Sequence, residues 1–407
     1  MIKVESRNLW LLVACQSLFV SVLAIDLILT GVMGQKLAPQ PAMATLPFAL
    51  ITVGGALITG PAARLMQSFG RQAIFLAASV LGVLGGLLSA TAVYEQSFAT
   101  LCAGSTLLGM FYSIAQYYRF AAADQNSDGQ KARAISTVLI GSVLGAILGP
   151  FLFVWSKGLL PDLMFAGAYL TAAGLAAFSL LLLAFYKGAP AAPPQLCDKP
   201  LVLRQPYGFL TLFKRPVYLV AIVNGAISNA VMLFVMTVAS LASLASCHSI
   251  DEGAAIMQWH LVGMYAPAFV SSVLIKYAGA APVMLFGAIL CTLCAGVATA
   301  GSGLLNFEAA MFCLGVGWNL MFVASSTLLV QADDARERLW VQGWSEFIRY
   351  VLMASASLAS GAVLQQWGWS GINWVILVPL GVAAGTSIWW MSSRSYKVYI
   401  LALRKAA

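Results

Sequence analysis

The sequence predicts an all-α polytopic membrane protein. Two observations indicate this fold class: the composition of the chain and the spacing of its apolar runs. Apolar residues make up 61% of the 407 residues and charged residues only 9%, with a mean hydropathy of +0.88. A soluble domain has roughly 45–50% apolar and about 25% charged residues. So few charges cannot cover a surface that faces water, so lipid must cover much of this chain. Long apolar runs recur from end to end between short polar breaks, as in a bundle of membrane helices.

Cutting the chain at its polar breaks gives twelve candidate transmembrane helices. Each is close to the ~20 residues that cross the hydrocarbon core of a bilayer as a helix. In chain order the spans are residues 9–33, 43–62, 73–93, 98–120, 134–155, 164–186, 217–240, 254–275, 283–302, 307–330, 341–363 and 371–391. The first span is longer than the apolar core of a signal peptide, so we expect it to remain as a helix.

Lysine and arginine are distributed very unequally between the two sides of this arrangement. With both termini in the cytoplasm, 20 of the 22 basic residues lie on the inner side or at inner helix ends, and only Lys36 and Lys157 lie outside. Such a bias is the usual signal of membrane orientation. The net charge of +8 therefore reports topology, and no nucleic-acid partner is needed to explain it. We expect a multi-pass protein of the bacterial inner membrane, surrounded by the lipid bilayer.

The longest hydrophilic stretch divides the twelve spans into two sets of six. Residues 187–216 are basic and rich in proline, so they read as a cytoplasmic linker between residues 1–186 and residues 217–407. An internal repeat supports this division: AARLMQSFG (62–70) and SSVLIKYAG (271–279) end the second span of each half, and LLGMFY (107–112) and CLGVGW (313–318) align in the fourth. Duplicated halves are typical of transporters whose substrate site lies at the interface of the halves near the midplane.

Two six-helix halves, a basic central linker and a motif after the second span resemble the major facilitator superfamily over essentially the whole chain. The superfamily's loop signature is roughly G-x-L-a-D-r-x-G-R-r. Here ARLMQSFGRQ (63–72) keeps Leu65, Gly70 and Arg71, but places Ala63 and Gln67 where a glycine and an aspartate are usual. The resemblance implies a loop that holds the inward-closed conformation through charge pairs. Without the acid, Arg71 would need another partner.

The fifth span carries a second motif that resembles one of the drug–proton antiporters. GSVLGAILGP (141–150) has G-x-x-x-G-P at Gly145, Gly149 and Pro150, although FLFV follows where a glycine pair is usual. The resemblance implies a role in coupling, but glycines four residues apart also make a flat ridge for close helix packing. In addition, QYYRFAAAD (116–124) and QWHLVGMYAP (258–267) resemble a bacterial branch in which some members import riboflavin-like or other small metabolites.

Two ionisable residues lie inside predicted spans at a similar depth. A charge there costs about 2.5–3.5 kcal/mol on insertion scales unless it is paired or hydrated, so each is a functional candidate. At 1.5 Å per residue, Asp26 in the first span and His260 in the eighth both lie roughly 7 Å outward of the midplane. Both can titrate, which suits proton coupling. The alternatives are a helix end for Asp26 and a packing hydrogen bond between helices for His260.

Three further charged residues occupy the inner halves of spans. Glu346 and Arg349 in the eleventh span are three residues apart, so they share a face and can pair with each other. Such a pair is either structural or part of a pathway that binds an ionic group. Arg119, near the inner end of the fourth span, is either a positive-inside anchor or a pathway residue.

Polar and aromatic residues at mid-depth complete the predicted pathway. The superfamily resemblance implies that the first, fourth, seventh and tenth spans of the chain line the cavity. On the last three of these lie Tyr112, Gln116, Asn229, Trp318 and Asn319. Amides in a membrane need hydrogen-bonding partners, either another helix or a substrate. Aromatic rings beside amides suit a planar or amphipathic organic solute better than a bare ion.

The leading functional prediction is a proton-coupled secondary transporter that works by alternating access and functions as a monomer. The sequence has no phosphate-binding P-loop, no nucleophile–base motif and no metal-ligand cluster, so it predicts neither an enzyme nor a cofactor. The alternatives are a multidrug efflux antiporter of the same fold, a membrane enzyme such as an acyl or glycosyl transferase, and a receptor that does not transport.

Overall fold

The computed structural model describes residues 2–124, 131–161, 163–187, 215–330, 335–393 and 396, and within these ranges it contains helices and no β-strand. The predicted linker, residues 187–216, falls almost wholly outside them. The helices in chain order are α1 (Ile2–Leu37), α2 (Leu46–Glu95), α3 (Phe98–Ala115), α4 (Tyr118–Asp124), α5 (Lys131–Ser156), α6 (Ala166–Ala184), α7 (Pro216–Ala245), α8 (Ile250–Tyr265), α9 (Ala268–Ala278), α10 (Ala280–Ala300), α11 (Leu304–Val330), α12 (Ala335–Val375) and α13 (Leu377–Ser392). A short 3₁₀ turn at Pro41–Met43 precedes α2.

The prediction of a multi-pass helical membrane protein is confirmed. Among the described residues, nine helices are long and apolar enough to cross a membrane, or ten when α8 and α9 are counted as one span bent by 41°. The 50 residues of α2 would extend about 75 Å as a straight helix, more than twice the thickness of a bilayer core. A helix of that length must contain more than one span, and the count of twelve stays a prediction.

A single glycine divides α2 into two arms. Gly70 has φ 80° and ψ 161°, a backbone region that is essentially restricted to glycine. Gly279, which stands between α9 and α10, has nearly the same conformation, with φ 87° and ψ 162°. These two glycines occupy the same place in the repeat of residues 62–70 and 271–279. The repeat therefore encodes a shared backbone turn between the second and third spans of each half.

The two halves also share a helix contact that only glycine permits. A Cβ atom added to Gly54 of α2 would lie 2.4 Å from the carbonyl oxygen of Thr106 in α3. A Cβ atom added to Gly263 of α8 would lie 2.6 Å from the carbonyl oxygen of Phe312 in α11. Gly263 follows Gly54 at the same interval of 209 residues that relates Gly279 to Gly70. Close backbone approach of this kind is how membrane helices associate through small residues.

Two proline residues explain where the helices break. Pro267 lies between α8 and α9, and Pro379 lies just after the start of α13. A proline cannot donate to the carbonyl four residues earlier, and its ring clashes with that carbonyl. For Pro379 that carbonyl belongs to Val375, which is the last residue of α12. The predicted twelfth span, residues 371–391, is therefore interrupted, with its first residues belonging to α12.

Contacts between Cα atoms divide the chain into two compact units. Unit 1 comprises Met1–Pro200 and Thr237–Val262, and unit 2 comprises Leu201–Met236 and Gly263–Ala407. Within unit 1, a Cβ atom on Gly31 of α1 would lie 3.4 Å from the carbonyl oxygen of Thr237, and Lys157 forms an ion pair with Asp251 of α8. The boundaries at residues 186 and 217 that the sequence suggests are a different division, and they stay a prediction.

Each unit has a buried core while many large apolar side chains remain outside. The core of unit 2 includes Tyr218, Met284, Leu320 and Trp390, which come from α7, α10, α11 and α13. Exposed leucine, phenylalanine and tryptophan side chains recur along α2, α5, α6 and α10. In water these would be an aggregation hazard, whereas in a bilayer they contact lipid tails.

We expect Gly70→Ala to lower the apparent melting temperature of the purified protein, because alanine at this φ and ψ costs about 1–3 kcal/mol of backbone strain. Space is not the obstacle, since no atom lies within 4 Å of a Cβ at Gly70. Gly174→Ala is the matched control, because Gly174 is equally open but has no positive φ. Thermal unfolding in detergent measures both. Equal stability of the two variants would contradict the strained turn.

Candidate functional site

The carboxylate of Asp26 is buried and hydrogen-bonded within unit 1. Its side chain is 1% exposed, and it lies well inside α1, which continues to Leu37. Thr30 Oγ1 donates to Asp26 Oδ1 at 2.5 Å, and Tyr112 OH of α3 donates to Asp26 Oδ2 at 2.9 Å. Asp26 is therefore not at a helix end. The structure brings together two of the predicted residues, Asp26 and Tyr112.

The Tyr112 ring, whose hydroxyl bonds this carboxylate, packs against two phenylalanine rings. The ring centroids of Phe19 and Tyr112 are 5.8 Å apart, and those of Phe19 and Phe111 are 6.0 Å apart at a near-perpendicular angle. These phenylalanines are fully buried. A low-polarity shell of this kind strengthens each hydrogen bond to the carboxylate and makes loss of a donor costly.

His260 of α8 also lies in unit 1, and its side chain is fully buried. The neighbouring Trp259 is 45% exposed, so the two side chains project from different sides of the helix. His260 is thus on a buried side of α8, and its role in the pathway stays a prediction.

A second polar pair, in unit 2, repeats the arrangement of Asp26 and Tyr112. Trp318 Nε1 of α11 donates to Asn229 Oδ1 of α7 at 3.1 Å, and Asn229 Nδ2 donates to the carbonyl oxygen of Gly225 at 2.7 Å. Trp318 aligns with Tyr112 in the repeat of residues 107–112 and 313–318. In each half, an aromatic donor on the fourth span bonds an acceptor on the first span of that half. The acceptor is an acid in one half and an amide in the other.

Trp318 also belongs to an aromatic stack that the sequence predicted only in part. The rings of Trp318 and Phe322, four residues apart on α11, are stacked with centroids 5.1 Å apart and planes at 5°. The guanidinium carbon of Arg349 in α12 lies 5.4 Å from the centroid of Phe322, and Arg349 forms an ion pair with Glu346. The predicted pair of Glu346 and Arg349 is present. Phe322 was not predicted, although its spacing from Trp318 places both on one helix face.

The amide of Asn319 is used in the packing of unit 2. Its Nδ2 donates to the carbonyl oxygen of Met264 at 2.7 Å, and its Oδ1 accepts from Ser271 Oγ at 2.5 Å. Met264 lies in the last turn of α8, where backbone carbonyls lack a partner within the helix. The sequence allows either another helix or a substrate as the partner of this amide. The described hydrogen bonds of Asn319 are with other helices.

Gln116 and Arg119 lie at the break between α3 and α4. The backbone N–H of Gln116 donates to the carbonyl oxygen of Tyr112 at 3.2 Å, and both side chains are half-buried. The guanidinium carbon of Arg119 lies 4.9 Å from the ring centroid of Phe120. Neither residue contacts Asp26 through a described hydrogen bond. Their roles in the pathway stay predictions.

Arg71 finds the acidic partner that its loop motif lacks. It forms an ion pair with Asp124, the last residue of α4, whereas Gln67 is exposed and Leu65 is 40% exposed. The pair is internal to unit 1, and it ties the end of the fourth span to the turn at Gly70.

The glycines of the fifth span are pressed against α1. A Cβ atom added to Gly145 would lie 2.5 Å from the carbonyl oxygen of Ser17, and one added to Gly149 would lie 2.5 Å from Cβ of Ala24. Pro150 is buried in the same helix. These contacts account for the motif as a packing ridge. A further role in coupling is untested.

A helical membrane protein with duplicated halves, each with a hydrogen-bonded polar pair on its first and fourth spans, has the construction of a membrane transporter. The chain belongs to the Major Facilitator Superfamily, whose family model matches residues 9–357, and the fold prediction is confirmed. Membership of this family makes the protein a transporter and not an enzyme.

Similar proteins agree with this membership. The chain is 35% identical to the riboflavin transporter RfnT of Brucella anthropi over 384 residues, which are 92% of this chain and 95% of that protein. It is 27% identical to the uncharacterized MFS-type transporter YdeG of Bacillus subtilis, over 84% of this chain and 81% of that protein. The crystal structure of the nucleoside transporter NupG superposes with a TM-score of 0.70 at 13% identity, covering 95% of this chain and 98% of that one. This last likeness concerns the fold alone.

Removing either charge of the Arg71–Asp124 pair should lower the stability of the protein only slightly, and by the same amount in both cases. Exposed ion pairs contribute at most about 1 kcal/mol, and these side chains are 27% and 52% exposed. We expect Arg71→Ala and Asp124→Ala to lower the melting temperature by similar small amounts, and the double variant to lower it no further. High salt should shrink the loss, and Arg64→Ala, an exposed arginine on the same helix, is the control. Strictly additive losses would show that the two side chains do not interact.

Proposed function

We propose that this protein is a proton-coupled secondary transporter of riboflavin or a similar planar organic solute. The observation that carries the coupling is the buried Asp26 carboxylate with its two hydroxyl donors, Thr30 and Tyr112. The solute class is supported by the 35% identity, over nearly the full length of both chains, to a protein named as a riboflavin transporter. The rings and amides of α7 and α11 suit such a solute.

The surroundings of Asp26 are compatible with both of its protonation states. As a carboxylate it only accepts hydrogen bonds, and the hydroxyls of Thr30 and Tyr112 supply two. As a carboxylic acid it must also donate, and a hydroxyl can rotate to accept. The site therefore offers the Asp26 side chain a hydrogen-bonding partner in both protonation states, which lowers the cost of binding and releasing a proton in the membrane.

The transport cycle that follows is alternating access. Residues 1–186 would rock against residues 217–407, with protonation of Asp26 favouring one conformation over the other. His260, Arg119, Gln116 and Glu346 are additional pathway candidates. We place the protein in the bacterial inner membrane with both termini in the cytoplasm, because the lysine and arginine bias favours that orientation. It would act as a monomer, without a nucleic-acid partner.

A multidrug efflux antiporter of the same fold is the second candidate. Gly145, Gly149 and Pro150 and the acid in the first span resemble features of drug–proton antiporters. Tight packing of α5 against α1 accounts for those glycines without a coupling role. The direction of transport and the range of solutes separate the two candidates.

In proteoliposomes, an imposed pH gradient should drive accumulation of radiolabelled riboflavin. One pH unit is worth about 1.4 kcal/mol, which supports roughly tenfold accumulation for each coupled proton. Unlabelled riboflavin should compete, whereas unrelated cationic dyes should not. Collapse of the pH gradient with an ionophore is the control. Extrusion of cationic dyes without any riboflavin uptake would favour the efflux antiporter instead.

Asp26→Asn should separate proton coupling from solute movement. The amide has nearly the same shape but cannot titrate, so pH-driven accumulation should be lost while exchange of labelled for unlabelled solute continues. Glu95→Gln is the control, because Glu95 is an exposed acid at the end of α2. Full pH-driven accumulation by Asp26→Asn would remove Asp26 from the coupling role.

A further inference from the structure

Unit 2 contains three flat groups in consecutive contact, which we call the stack: Arg349, Phe322 and Trp318. The guanidinium carbon of Arg349 lies 5.4 Å from the ring centroid of Phe322, and the Phe322 ring lies parallel to that of Trp318, with 5° between the planes and 5.1 Å between the centroids. Parallel rings whose centroids are this far apart are offset-stacked, which is one of the arrangements that aromatic pairs favour. Two parallel rings with a cation at one end form a surface on which another planar ring can stack.

Both ends of the stack are fixed by polar contacts. At one end, the indole N–H of Trp318 donates to Asn229 at 3.1 Å, which sets the orientation of the ring. At the other end, the guanidinium of Arg349 pairs with Glu346 and lies 5.3 Å from the centroid of Tyr350. A ring that is already oriented loses little conformational freedom when a ligand binds.

Neither aromatic ring of the stack is fully buried. Trp318 and Phe322 are both of intermediate exposure, although they lie between buried neighbours such as Asn319 and Met321. Phe322 has Trp318 against it and Arg349 over its ring. The cation of Arg349 therefore lies at one end of the stack, and the indole ring of Trp318 forms the other end.

We propose that the face of the Trp318 indole opposite Phe322 receives the planar ring of the transported solute, so that the solute becomes the fourth layer of the stack. This inference rests on the proposed function and adds the binding group and the selected chemical class. Indole is electron-rich, so it favours an electron-poor heteroaromatic ring over a saturated one. Because the indole N–H is already bonded to Asn229, it is not free to select the solute's polar substituents. The Trp318 face therefore selects solutes by their aromatic ring and not by their polar substituents.

Packing of α11 against α12 is the competing explanation of the stack. In that case Trp318 and Phe322 would matter for stability and not for the solute. The two explanations differ in what a ligand does to the indole, because only direct stacking places the solute ring in contact with it. Optical properties of the bound solute therefore distinguish them.

Binding to the purified full-length protein tests the proposal directly. Two probes are titrated: riboflavin, and lumichrome, whose flat tricyclic alloxazine ring is an isomer of the isoalloxazine ring of riboflavin and carries no ribityl chain. We expect both to bind with strong quenching of their fluorescence, as stacking on an indole produces, and ribitol not to compete. Bound riboflavin with unquenched fluorescence, or competition by ribitol but not by lumichrome, would overturn the proposal.

Substitutions in the stack should then weaken binding of the ring. Trp318→Leu should weaken riboflavin and lumichrome equally, by about tenfold or more, on the scale of stacking between nucleobases and aromatic side chains. Trp318→Phe keeps an aromatic face and should lose less affinity than Trp318→Leu. Phe322→Leu leaves Trp318 in place and should weaken binding severalfold, which also provides a test if Trp318→Leu does not fold. Trp389→Leu, at a tryptophan that is 50% exposed on α13, is the matched control.

The outcomes separate this inference from the proposed function. If riboflavin is transported but Trp318→Leu and Phe322→Leu bind it with unchanged affinity, only the stacking proposal fails. If neither riboflavin nor lumichrome binds and riboflavin is not transported, both proposals fail. Weaker binding of both probes by the stack variants, with exchange transport reduced in parallel, supports both.

Discussion

A polar group in the bilayer must find its hydrogen-bonding partner inside the protein, and most of the structure described above depends on that constraint. It explains why the described chain is helical, since helices satisfy their own backbone. It also explains what occurs where helices stop. The Met264 carbonyl, in the last turn of α8, accepts from Asn319, and the carboxylate of Asp26 receives the hydroxyls of Thr30 and Tyr112.

Duplication supplied the same framework twice, and the two copies then differ in their polar residues. Gly70 and Gly279 make the same turn, and Gly54 and Gly263 make the same close helix contact. The bonds from Tyr112 to Asp26 and from Trp318 to Asn229 are related in the same way. An acid can exchange a proton and an amide cannot. One pair is therefore suited to coupling and the other to holding an aromatic ring in a fixed orientation.

The sequence predicted features that depend on composition and spacing, and it missed those that depend on proximity in space. Apolar runs predicted the membrane helices, and the repeat correctly indicated that residues 62–70 and 271–279 correspond, although it did not predict their shared turn. The i, i+3 spacing was enough to pair Glu346 with Arg349. Asp124 was not predicted as the partner of Arg71 because 53 residues separate them. The break at Val375 was missed because Pro379 lies inside an otherwise unbroken apolar run. Phe322 was overlooked because a phenylalanine in a membrane helix is usually packing.

The ion pair of Lys157 with Asp251 has a consequence that follows from its location. By the predicted spans, the chain has crossed the membrane five times before Lys157, but twice before Arg71 and four times before Asp124. With that predicted topology, the two ion pairs would meet different solutions, one on each side of the bilayer. Both are partly exposed, and salt screens such charges over about 8 Å at physiological ionic strength. The same topology would expose the Lys157–Asp251 pair to the salt concentration outside the cell and the Arg71–Asp124 pair to that of the cytoplasm.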